Sequence, residues 1–336
     1  MTSQLPTPDS RKLRLLVTGA AGFVGWKTCE LLLNDGHSVT GIDNLNDYYD
    51  QALKTWRLTE LKKLSNFTFV EGDIEDASVV RQAIKDFGPF DAVINLAARA
   101  GVRASIETPE VYYTTNVLGS LHLLEAIKDA GIPKYILAST SSLYAGHPLP
   151  FAEDAPVNRP ISPYAASKKA AEAMAYTWHH LHGIDVSVVR YFTVYGPAGR
   201  PDMSPLRFIK WIDEGTPITL YGDGSQTRDF TYVDDTALGT IAALKPVGHE
   251  IINIGGGNRP VSIREMIEFF SQALGKDAKI IEKPFHAADM KDTSAVVEKA
   301  KSLLNWEPKV LPKDGFQRTV DWYLENKHWV SKIDLG

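Results

Sequence analysis

The sequence predicts an α/β protein with a doubly wound parallel sheet and a smaller mixed α/β lobe in its C-terminal half. Short apolar runs alternate with helix-like segments up to residue 192, as in parallel sheets covered by helices on both faces. A glycine-rich turn joins the first apolar run to the first helical segment. Beyond Gly196 the alternation loosens into short elements and loops rich in Gly, Asp and Arg. We therefore expect a tail over residues 1–10, a Rossmann-like domain over 11–192 and mainly a ligand-binding lobe over 193–336.

The elements of the main sheet can be placed in chain order. The predicted strands are LRLLVTG, SVTGID, FTFVEGD, DAVINLAA, KYILASTSSLYA and HGIDVSVVRYFTVYG. The predicted helices are WKTCELLLNDG, ALKTWRLTELKKL, SVVRQAIKDFG, residues 111–130 and a helix that begins near Ser162. In the lobe, Ser262 and Glu265 form a capping box that predicts the start of another helix.

Composition excludes several classes of protein. The 336 residues are 44% hydrophobic and 23% charged, which excludes disordered and collagen-like chains. Cys29 is the single cysteine, so no disulfide framework and no metal site built from several thiolates is expected, and a reducing, cytoplasmic compartment fits best. The sequence lacks the apolar segments expected of a signal peptide or a membrane span. A net charge of −5 gives no basic field for nucleic acid, so an anionic ligand must be bound by local arginines or backbone amides.

A glycine-rich turn after the first strand predicts a dinucleotide site. Thr18–Gly25 places glycines at positions 19, 22 and 25, where a strand becomes a helix. Such glycines let backbone amides approach a pyrophosphate at a helix N-terminus, although the same spacing also occurs in a plain tight turn. Asp43 ends the second strand 18 residues after Gly25. A carboxylate there can bind the adenosine ribose and repel a 2′-phosphate, so the pattern favours NAD over NADP, while an ordinary turn aspartate is the alternative.

A tyrosine and a lysine four residues apart predict acid–base chemistry. Tyr164 and Lys168 share one face of the helix that begins at Ser162 and Pro163. A nearby ammonium stabilises a phenolate, so Lys168 is expected to lower the pKa of Tyr164. The alternative is an ordinary surface pair. The segment 139–144, STSSLY, ends the preceding strand and supplies hydroxyl groups beside the same crevice, which favours the catalytic interpretation.

Taken together, these motifs resemble the extended short-chain dehydrogenase/reductases and, within them, the nucleotide-sugar 4-epimerases. The resemblance covers nearly the whole chain. Departures occur at Asn95, where histidine is frequent, at Arg99, where glutamine is usual, and at 143–145, where Leu-Tyr-Ala replaces Val-Tyr-Gly. The segments that carry the resemblance are Thr18–Gly25, Asp43, Gly72–Ile74, Leu96–Ala98, Asn116, Ser139–Tyr144, Tyr164 with Lys168, Arg190–Phe192 and Arg228–Phe230.

The resemblance implies a bound NAD and a catalytic set of three residues. Tyr164 would be the base that removes the proton of the sugar 4-hydroxyl, Lys168 would hold the nicotinamide ribose, and Thr140 would bond the 4-oxygen. The residues expected to contact NAD are Gly19, Ala21, Gly22, Phe23, Val24, Asp43, Asn44, Asp73, Ile74, Leu96, Ala97, Ala98, Asn116, Ser139, Tyr164, Lys168, Tyr191 and Val194.

The substrate is inferred from two serines. Relatives that dehydrate the sugar carry an Asp-Glu pair, and relatives that decarboxylate it usually carry a glutamate, where this chain has Ser141 and Ser142. Neutral hydroxyls suit a hexuronate carboxylate, so the expected reaction is reversible 4-epimerisation of a UDP-hexuronate, UDP-glucuronate to UDP-galacturonate. Arg200 and Arg228 are the expected cations for the pyrophosphate or the carboxylate. The residues expected to contact substrate are Arg103, Thr140, Ser141, Ser142, Tyr164, Thr193, Arg200, Arg228 and Asp289.

Alternative functions stay open at the level of sequence. The chain could be another nucleotide-sugar enzyme, such as a UDP-glucose 4-epimerase, a UDP-glucuronate decarboxylase or a reductase, or it could be a non-catalytic NAD-binding protein. The apolar helices over 105–130 and 162–182 predict a homodimer, because relatives pair them in a four-helix bundle. His179, His180 and His182 have no ligand partners at suitable spacing, so no metal is expected. The aromatic residues Tyr48, Tyr49 and Trp56 are expected mainly to pack, and the alternative is that they rim the cofactor.

Overall fold

The computed structural model describes residues 11–257, 259–285 and 290–335. A seven-stranded parallel sheet occupies its centre, in the order β3-β2-β1-β4-β5-β6-β11. Its strands are β1 Arg14–Thr18, β2 Ser38–Asp43, β3 Phe67–Glu71, β4 Ala92–Asn95, β5 Lys134–Thr140, β6 Asp185–Tyr191 and β11 His249–Ile254. The predicted doubly wound fold is confirmed, and the chain reverses its direction of winding between β1 and β4.

Helices cover both faces of this sheet and form much of the lobe. The helices of the main domain are α1 Phe23–Asn34, α2 Gln51–Lys62, α3 Ala77–Phe87, α4 Val102–Glu107, α5 Glu110–Tyr113, α6 Ser120–Ala130 and α7 Pro163–His182. Those further along the chain are α8 Ser204–Glu214, α9 Val233–Ala242, α10 Ile263–Leu274, α11 Glu298–Leu304 and α12 Pro312–Val330. A 3₁₀ turn spans Ser141–Tyr144. The predicted capping box of Ser262 and Glu265 is present at the start of α10. None of the helices in the described ranges is long and apolar enough to cross a bilayer.

Alternation along the strands divides the core into two layers. Leu15 and Val17 of β1 pack on one side of the sheet in a cluster that includes Trp26 of α1. Leu16 points to the other side, where it joins a cluster that includes Leu123 of α6. Successive strand residues face opposite sides, and burying each such side chain contributes roughly 1.5–3 kcal/mol. The apolar run therefore anchors β1 between two helical layers, and this holds the following turn in place.

The long predicted helix over 111–130 is interrupted. It runs from α5 through a π-helical turn over Thr114–Gly119 into α6. Asn116 lies in this turn and is buried. Such widened turns are frequent at functional sites because they redirect one side chain out of the helical ladder.

The main sheet contains one strand that we had expected in the lobe. β11 follows residue 193 in the chain, yet it pairs in parallel with β6 from His249 to Ile254. Its backbone pairs with the N–H and C=O groups that β6 would otherwise expose, so β11 becomes the edge strand on that side of the sheet. The predicted last strand also divides at Phe192, where the backbone leaves β6 for the short strand β7, Thr193–Tyr195. We keep residue 192 as the proposed domain boundary, with β11 as a return to the main domain.

Short strand pairs shape the lobe. β7 pairs with β10, Phe230–Tyr232, and β9, Thr227–Arg228, pairs with β12, Val261–Ser262. The third pair joins β8, Ile218–Tyr221, to β13, Ile280–Lys283. Thr193 of β7, Arg228 of β9 and the loop residue Arg200 line the same cleft as the carboxyl ends of the main strands.

Candidate active site

A cleft of about 770 Å³ lies between the main sheet and the lobe. It is lined by the glycine-rich turn after β1, the residues that follow β4 and β5, the start of α7 and the loops of the lobe. Ligands of open parallel sheets bind beside the carboxyl ends of the strands where the winding reverses. The position of this cleft, next to the β1–β4 junction, is that of a binding site for a large ligand.

The glycine-rich turn is built to approach other backbone closely. Gly19 has φ +70° and a Cβ there would lie 2.7 Å from the amide nitrogen of Ala97. A Cβ on Gly25 would lie 1.9 Å from the carbonyl oxygen of Gly19. Gly22 caps α1, and among the described residues no side chain makes a capping hydrogen bond to that helix. The helix start therefore keeps its amides and its positive dipole end for an anionic ligand in the cleft, which fits a dinucleotide diphosphate.

Asp43 is held rigidly at the end of β2. Its Oδ2 accepts a hydrogen bond from the Ala21 amide at 3.0 Å, and its Oδ1 accepts one from the Leu45 amide at 2.9 Å. The next residue, Asn44, donates to the Asp73 carboxylate at 2.6 Å. Each carboxylate oxygen keeps a lone pair beyond these bonds, so Asp43 fits the ribose hydroxyls of an adenosine moiety.

Tyr164 and Thr140 meet at the far end of the cleft. Ser162 caps α7 by accepting the Ala165 amide at 3.2 Å, which places Tyr164 in the first turn of the helix. Thr140, the last residue of β5, lies close enough to the Tyr164 phenol to favour its ionised form, and it accepts the Ser142 amide at 3.1 Å. The strand end and the helix start thus bring the two predicted catalytic hydroxyls together.

Lys168 lies one turn further along α7 and does not act on Tyr164 as expected. Its ammonium donates to the Ala138 carbonyl at 3.0 Å, and burial lowers its pKa to about 8. Burial raises the pKa of the Tyr164 phenol, and this effect is opposed by the hydrogen bond from Thr140 and the charge of Arg200. The predicted lowering of the Tyr164 pKa by Lys168 is therefore wrong for this geometry, since the ammonium is directed to a backbone carbonyl.

A buried ion pair supports the helix behind Lys168. Glu172 accepts two hydrogen bonds from Arg190 of β6, both at 2.8 Å, and a third from the Ser139 hydroxyl at 2.7 Å. Arg190 in turn donates to the Tyr144 hydroxyl at 2.8 Å. Sequence reasoning missed Glu172, although its position four residues after Lys168 was a usable signal.

The predicted substrate residues described by the structure line the cleft, and some of them already make hydrogen bonds within the protein. Ser141, Ser142 and Thr193 contribute hydroxyl groups to its wall. Arg200 is already engaged, since it donates to both carboxylate oxygens of Asp202, at 3.0 and 2.6 Å. Arg228 donates to the backbone carbonyls of Thr227 and Lys291, and the guanidinium of Arg103 lies 4.2 Å from the centre of the Tyr221 ring.

Most of the residues predicted from sequence line this one cleft. Two expected cofactor contacts do not: Ala21 is fully buried with its amide on Asp43, and Asn116 bonds the backbone of Arg99 and the Ser167 hydroxyl instead. Asp289, an expected substrate contact, lies outside the described residues. The cleft-lining set comprises Gly19, Gly22, Phe23, Val24, Asp43, Asn44, Asp73, Ile74, Leu96, Ala97, Ala98, Arg103, Ser139, Thr140, Ser141, Ser142, Tyr164, Lys168, Tyr191, Thr193, Val194, Arg200 and Arg228.

The aromatic residues of the α2 region divide between the cleft and the core. Tyr48 and Tyr49 line the cleft, whereas Trp56 packs edge-on against Trp26 with 5.5 Å between ring centres. Trp56 also stacks on Trp329 of α12 at 6.0 Å. Packing alone therefore describes Trp56 but not the two tyrosines.

The fold and this cleft define an enzyme of the class that uses a bound nicotinamide dinucleotide. The chain belongs to the NAD dependent epimerase/dehydratase family, whose sequence profile matches residues 15–255.

Comparison with known proteins shows which members of this family the chain resembles. The chain is 57% identical over 320 residues to a UDP-glucuronate 4-epimerase of Thermodesulfobacterium geofontis, covering 95% of this chain and 99% of that protein. It resembles the crystal structure of a UDP-glucuronic acid 4-epimerase from Bacillus cereus in complex with UDP-glucuronic acid and NAD, with a TM-score of 0.87, 38% identity and coverage of 94% and 100% of the two chains. A UDP-glucose 4-epimerase of Thermotoga maritima with UDP-glucose is similar in fold, with a TM-score of 0.85 and 29% identity over 94% and 100% of the chains.

Proposed function

We propose that this chain interconverts UDP-glucuronate and UDP-galacturonate by reversible epimerisation at carbon 4, with NAD as a tightly bound cofactor. The observation that carries the proposal is that Tyr164 and Thr140 line the same end of the cleft as the hydroxyl groups of Ser141 and Ser142. The 57% identical relative named for this activity, and the similar structure that contains both ligands, support it.

The glycine-rich turn and the ends of β2 and α7 are the parts that would hold NAD. The start of α1 at Gly22 would bind the diphosphate, Asp43 the adenosine ribose, and Lys168 with Tyr164 the nicotinamide ribose. When bound, NAD supplies a hydride acceptor that is regenerated within each catalytic cycle.

Tyr164 is the group that moves the proton. It takes the proton of the 4-hydroxyl as the hydride leaves carbon 4, and Thr140 hydrogen-bonds the 4-oxygen and the phenol while this occurs. The planar 4-keto sugar then turns over in the cleft, and Tyr164 returns the proton to the 4-oxygen as the hydride returns to the other face of carbon 4. Lys168 keeps a positive charge near the reacting groups, in a buried place where that charge acts strongly.

Ser141, Ser142 and Thr193 hold the carboxylate at carbon 5. A 4-keto hexuronate is a β-keto acid, and it loses carbon dioxide when the bond to its carboxylate aligns with the ketone π system. Three hydroxyl donors can keep the carboxylate out of that alignment, each hydrogen bond to a charged group contributing about 1.5–3 kcal/mol. The same hydroxyls offer no proton carrier for elimination.

A product assay tests this proposal directly. The purified protein is incubated without added NAD with each of UDP-glucuronate, UDP-galacturonate, UDP-glucose and UDP-xylose, and products are identified by NMR. We expect UDP-glucuronate and UDP-galacturonate to interconvert, and denaturation to release NAD in proportion to active sites. A preference for UDP-glucose, a pentose as the main product, or consumption of NAD in proportion to product would each refute the proposal.

We propose further that the enzyme is a homodimer in the cytoplasm. Tyr113, Leu118, Tyr176 and Leu181 are large apolar side chains that the helices over 110–130 and 163–182 leave exposed, which supports pairing through these helices. The buried lone Cys29 suits a reducing compartment. Light scattering at micromolar concentration tests the assembly, and a monomer there would refute the dimer.

A further inference from the structure

Four cations surround the two tyrosines at the rim of the cleft. Lys54 and Arg57 lie 5.0 and 5.6 Å from the centre of the Tyr49 ring. Arg99 and Arg200 lie 5.3 and 5.5 Å from the centre of the Tyr48 ring. Contact with an aromatic face attracts a cation but does not neutralise its charge.

Three of these cations have polar partners in the protein. Arg57 donates to the carbonyls of Ala198 and Ala21, at 2.7 and 3.1 Å. Lys54 donates to the carbonyl and the side-chain oxygen of Asn46, at 2.6 and 2.8 Å. Arg200 is paired with Asp202, as described above.

Arg99 is different. Its backbone is fixed, because Asn116 Oδ1 accepts its amide at 2.9 Å and Asn116 Nδ2 donates to its carbonyl at 3.0 Å. Within the described residues, its guanidinium has no hydrogen bond and no ion pair, and its one recorded contact is the Tyr48 ring. The residue lines the cleft. The chain therefore holds a half-buried guanidinium at the cleft wall and leaves its five donors for a ligand.

The residues around Arg99 indicate the sign of the ligand's charge. Burial and the positive charges of Arg99, Arg57 and Arg200 lower the pKa of Lys54 to about 8, against the opposing charge of Asp43. Four cations thus lie around two uncharged rings, and the guanidinium of Arg99 has no carboxylate partner among the described residues. A multiply charged anion in the cleft would balance these charges.

The contacts of the cluster also indicate which anion it binds. Arg57 is bonded to Ala21 in the glycine-rich turn, and Lys54 is bonded to Asn46 in the loop that follows Asp43. Both elements belong to the predicted cofactor half of the cleft. Arg200, the member whose charge reaches Tyr164 at the sugar end, is already neutralised by Asp202.

We infer that Arg99 binds the diphosphate of NAD and slows its release. A guanidinium presents paired donors that match phosphate oxygens, and Tyr48 keeps the planar group oriented without satisfying its donors. Arg99 is thus a cofactor-retaining residue that takes no part in proton or hydride transfer. This inference rests on the proposed function only in taking NAD as the bound cofactor.

Exchange of bound NAD tests the role of Arg99. Wild type, Arg99→Gln and Arg99→Lys are purified with their NAD, and the rate at which labelled NAD replaces it is measured at low and high salt. We expect exchange to be about tenfold faster or more in Arg99→Gln, since a charged hydrogen bond is lost, and intermediate in Arg99→Lys. The salt dependence of exchange should be weaker in Arg99→Gln than in wild type.

The matched control is Arg81→Gln. Arg81 lies on α3 and is exposed, with an ion pair to Asp129 of 4.0 Å, so this change should leave exchange unaltered. The KM for UDP-glucuronate is measured in parallel for both Arg99 variants at saturating NAD, so that a change in substrate binding is distinguished from a change in NAD exchange.

Two outcomes overturn the inference. Exchange in Arg99→Gln at the wild-type rate shows that Arg99 does not hold NAD. A raised KM for UDP-glucuronate with unchanged exchange shows that it serves the substrate diphosphate instead. Either result leaves the epimerase proposal standing, whereas a wild-type protein that contains no NAD refutes that proposal by itself.

Discussion

Glu172 and Arg190 form a buried two-bond ion pair, one helical turn beyond Lys168. Their exposed fractions are 3% and 1%, and the guanidinium bonds both carboxylate oxygens at 2.8 Å. The pair joins α7, which carries Tyr164 and Lys168, to β6, which lies next to the edge strand β11 of the main sheet. The Glu172 charge raises the pKa of Lys168, against the lowering by burial. The same pair therefore positions α7 and favours the charged form of Lys168.

Breaking this ion pair should destabilise the fold. Glu172→Gln leaves Arg190 buried without a counter-charge, which costs about 3–5 kcal/mol of the free energy of unfolding. Urea denaturation followed by circular dichroism measures the change. Lys169→Gln is the control, because Lys169 is partly exposed at 3.5 Å from the same carboxylate and its loss should cost about 1 kcal/mol or less. Equal stability of Glu172→Gln and wild type would show that the pair contributes nothing.

The rate of epimerisation should fall as the pH rises above about 8. The pKa of Lys168 is lowered to about 8 by burial, so its charge is present below that pH and lost above it. The Glu172 carboxylate raises this pKa, so Glu172→Gln should move the descending limb of the profile to lower pH. Lys169→Gln should leave the limb in place. The profile is measured as kcat/KM across the pH range. If the descending limb of Glu172→Gln lies at the same pH as that of wild type, Lys168 is not the titrating group.

Tyr164→Phe should remove the base and preserve the fold. The ring still packs edge-on against Tyr112, 6.1 Å away between centres, so the melting temperature should change little. We expect kcat to fall about 10² to 10⁴-fold, the range for loss of a general base. Tyr176→Phe on the exposed side of the same helix serves as control and should keep full activity. Near wild-type turnover in Tyr164→Phe would favour a non-catalytic NAD-binding protein.

Loss of a hydroxyl at the carboxylate end should release a pentose. Ser142→Ala and Thr193→Ala free the carboxylate to align with the 4-ketone, so a fraction of the product should be decarboxylated. Ser302→Ala is a control, because its hydroxyl only bonds the Lys299 carbonyl on α11. NMR of the product mixture measures the pentose. Variants that make no pentose while they keep epimerase activity would contradict our assignment of these hydroxyls.

The sequence by itself determined the sheet, the glycine-rich turn and the catalytic helix. Strand alternation, the glycine spacing over 18–25 and the four-residue step from Tyr164 to Lys168 are local patterns, and local backbone preferences decide them. Asp43 was found for the same reason, since its distance along the chain from the turn follows from one strand–helix–strand unit. Thr140 and the serines after it were found because they directly follow a strand.

Only the tertiary structure decided which of these groups are free to act. Arg200 was expected as a ligand cation, but its pairing with Asp202 in the folded loop engages it, whereas the Arg99 guanidinium has no polar partner among the described residues. The backbone of Arg99 is held by the side chain of Asn116, 17 residues away, which lies in a π-helical turn. β11 likewise joins the sheet from beyond residue 193. Contacts between distant residues depend on how the layers pack, and no spacing along the chain encodes them.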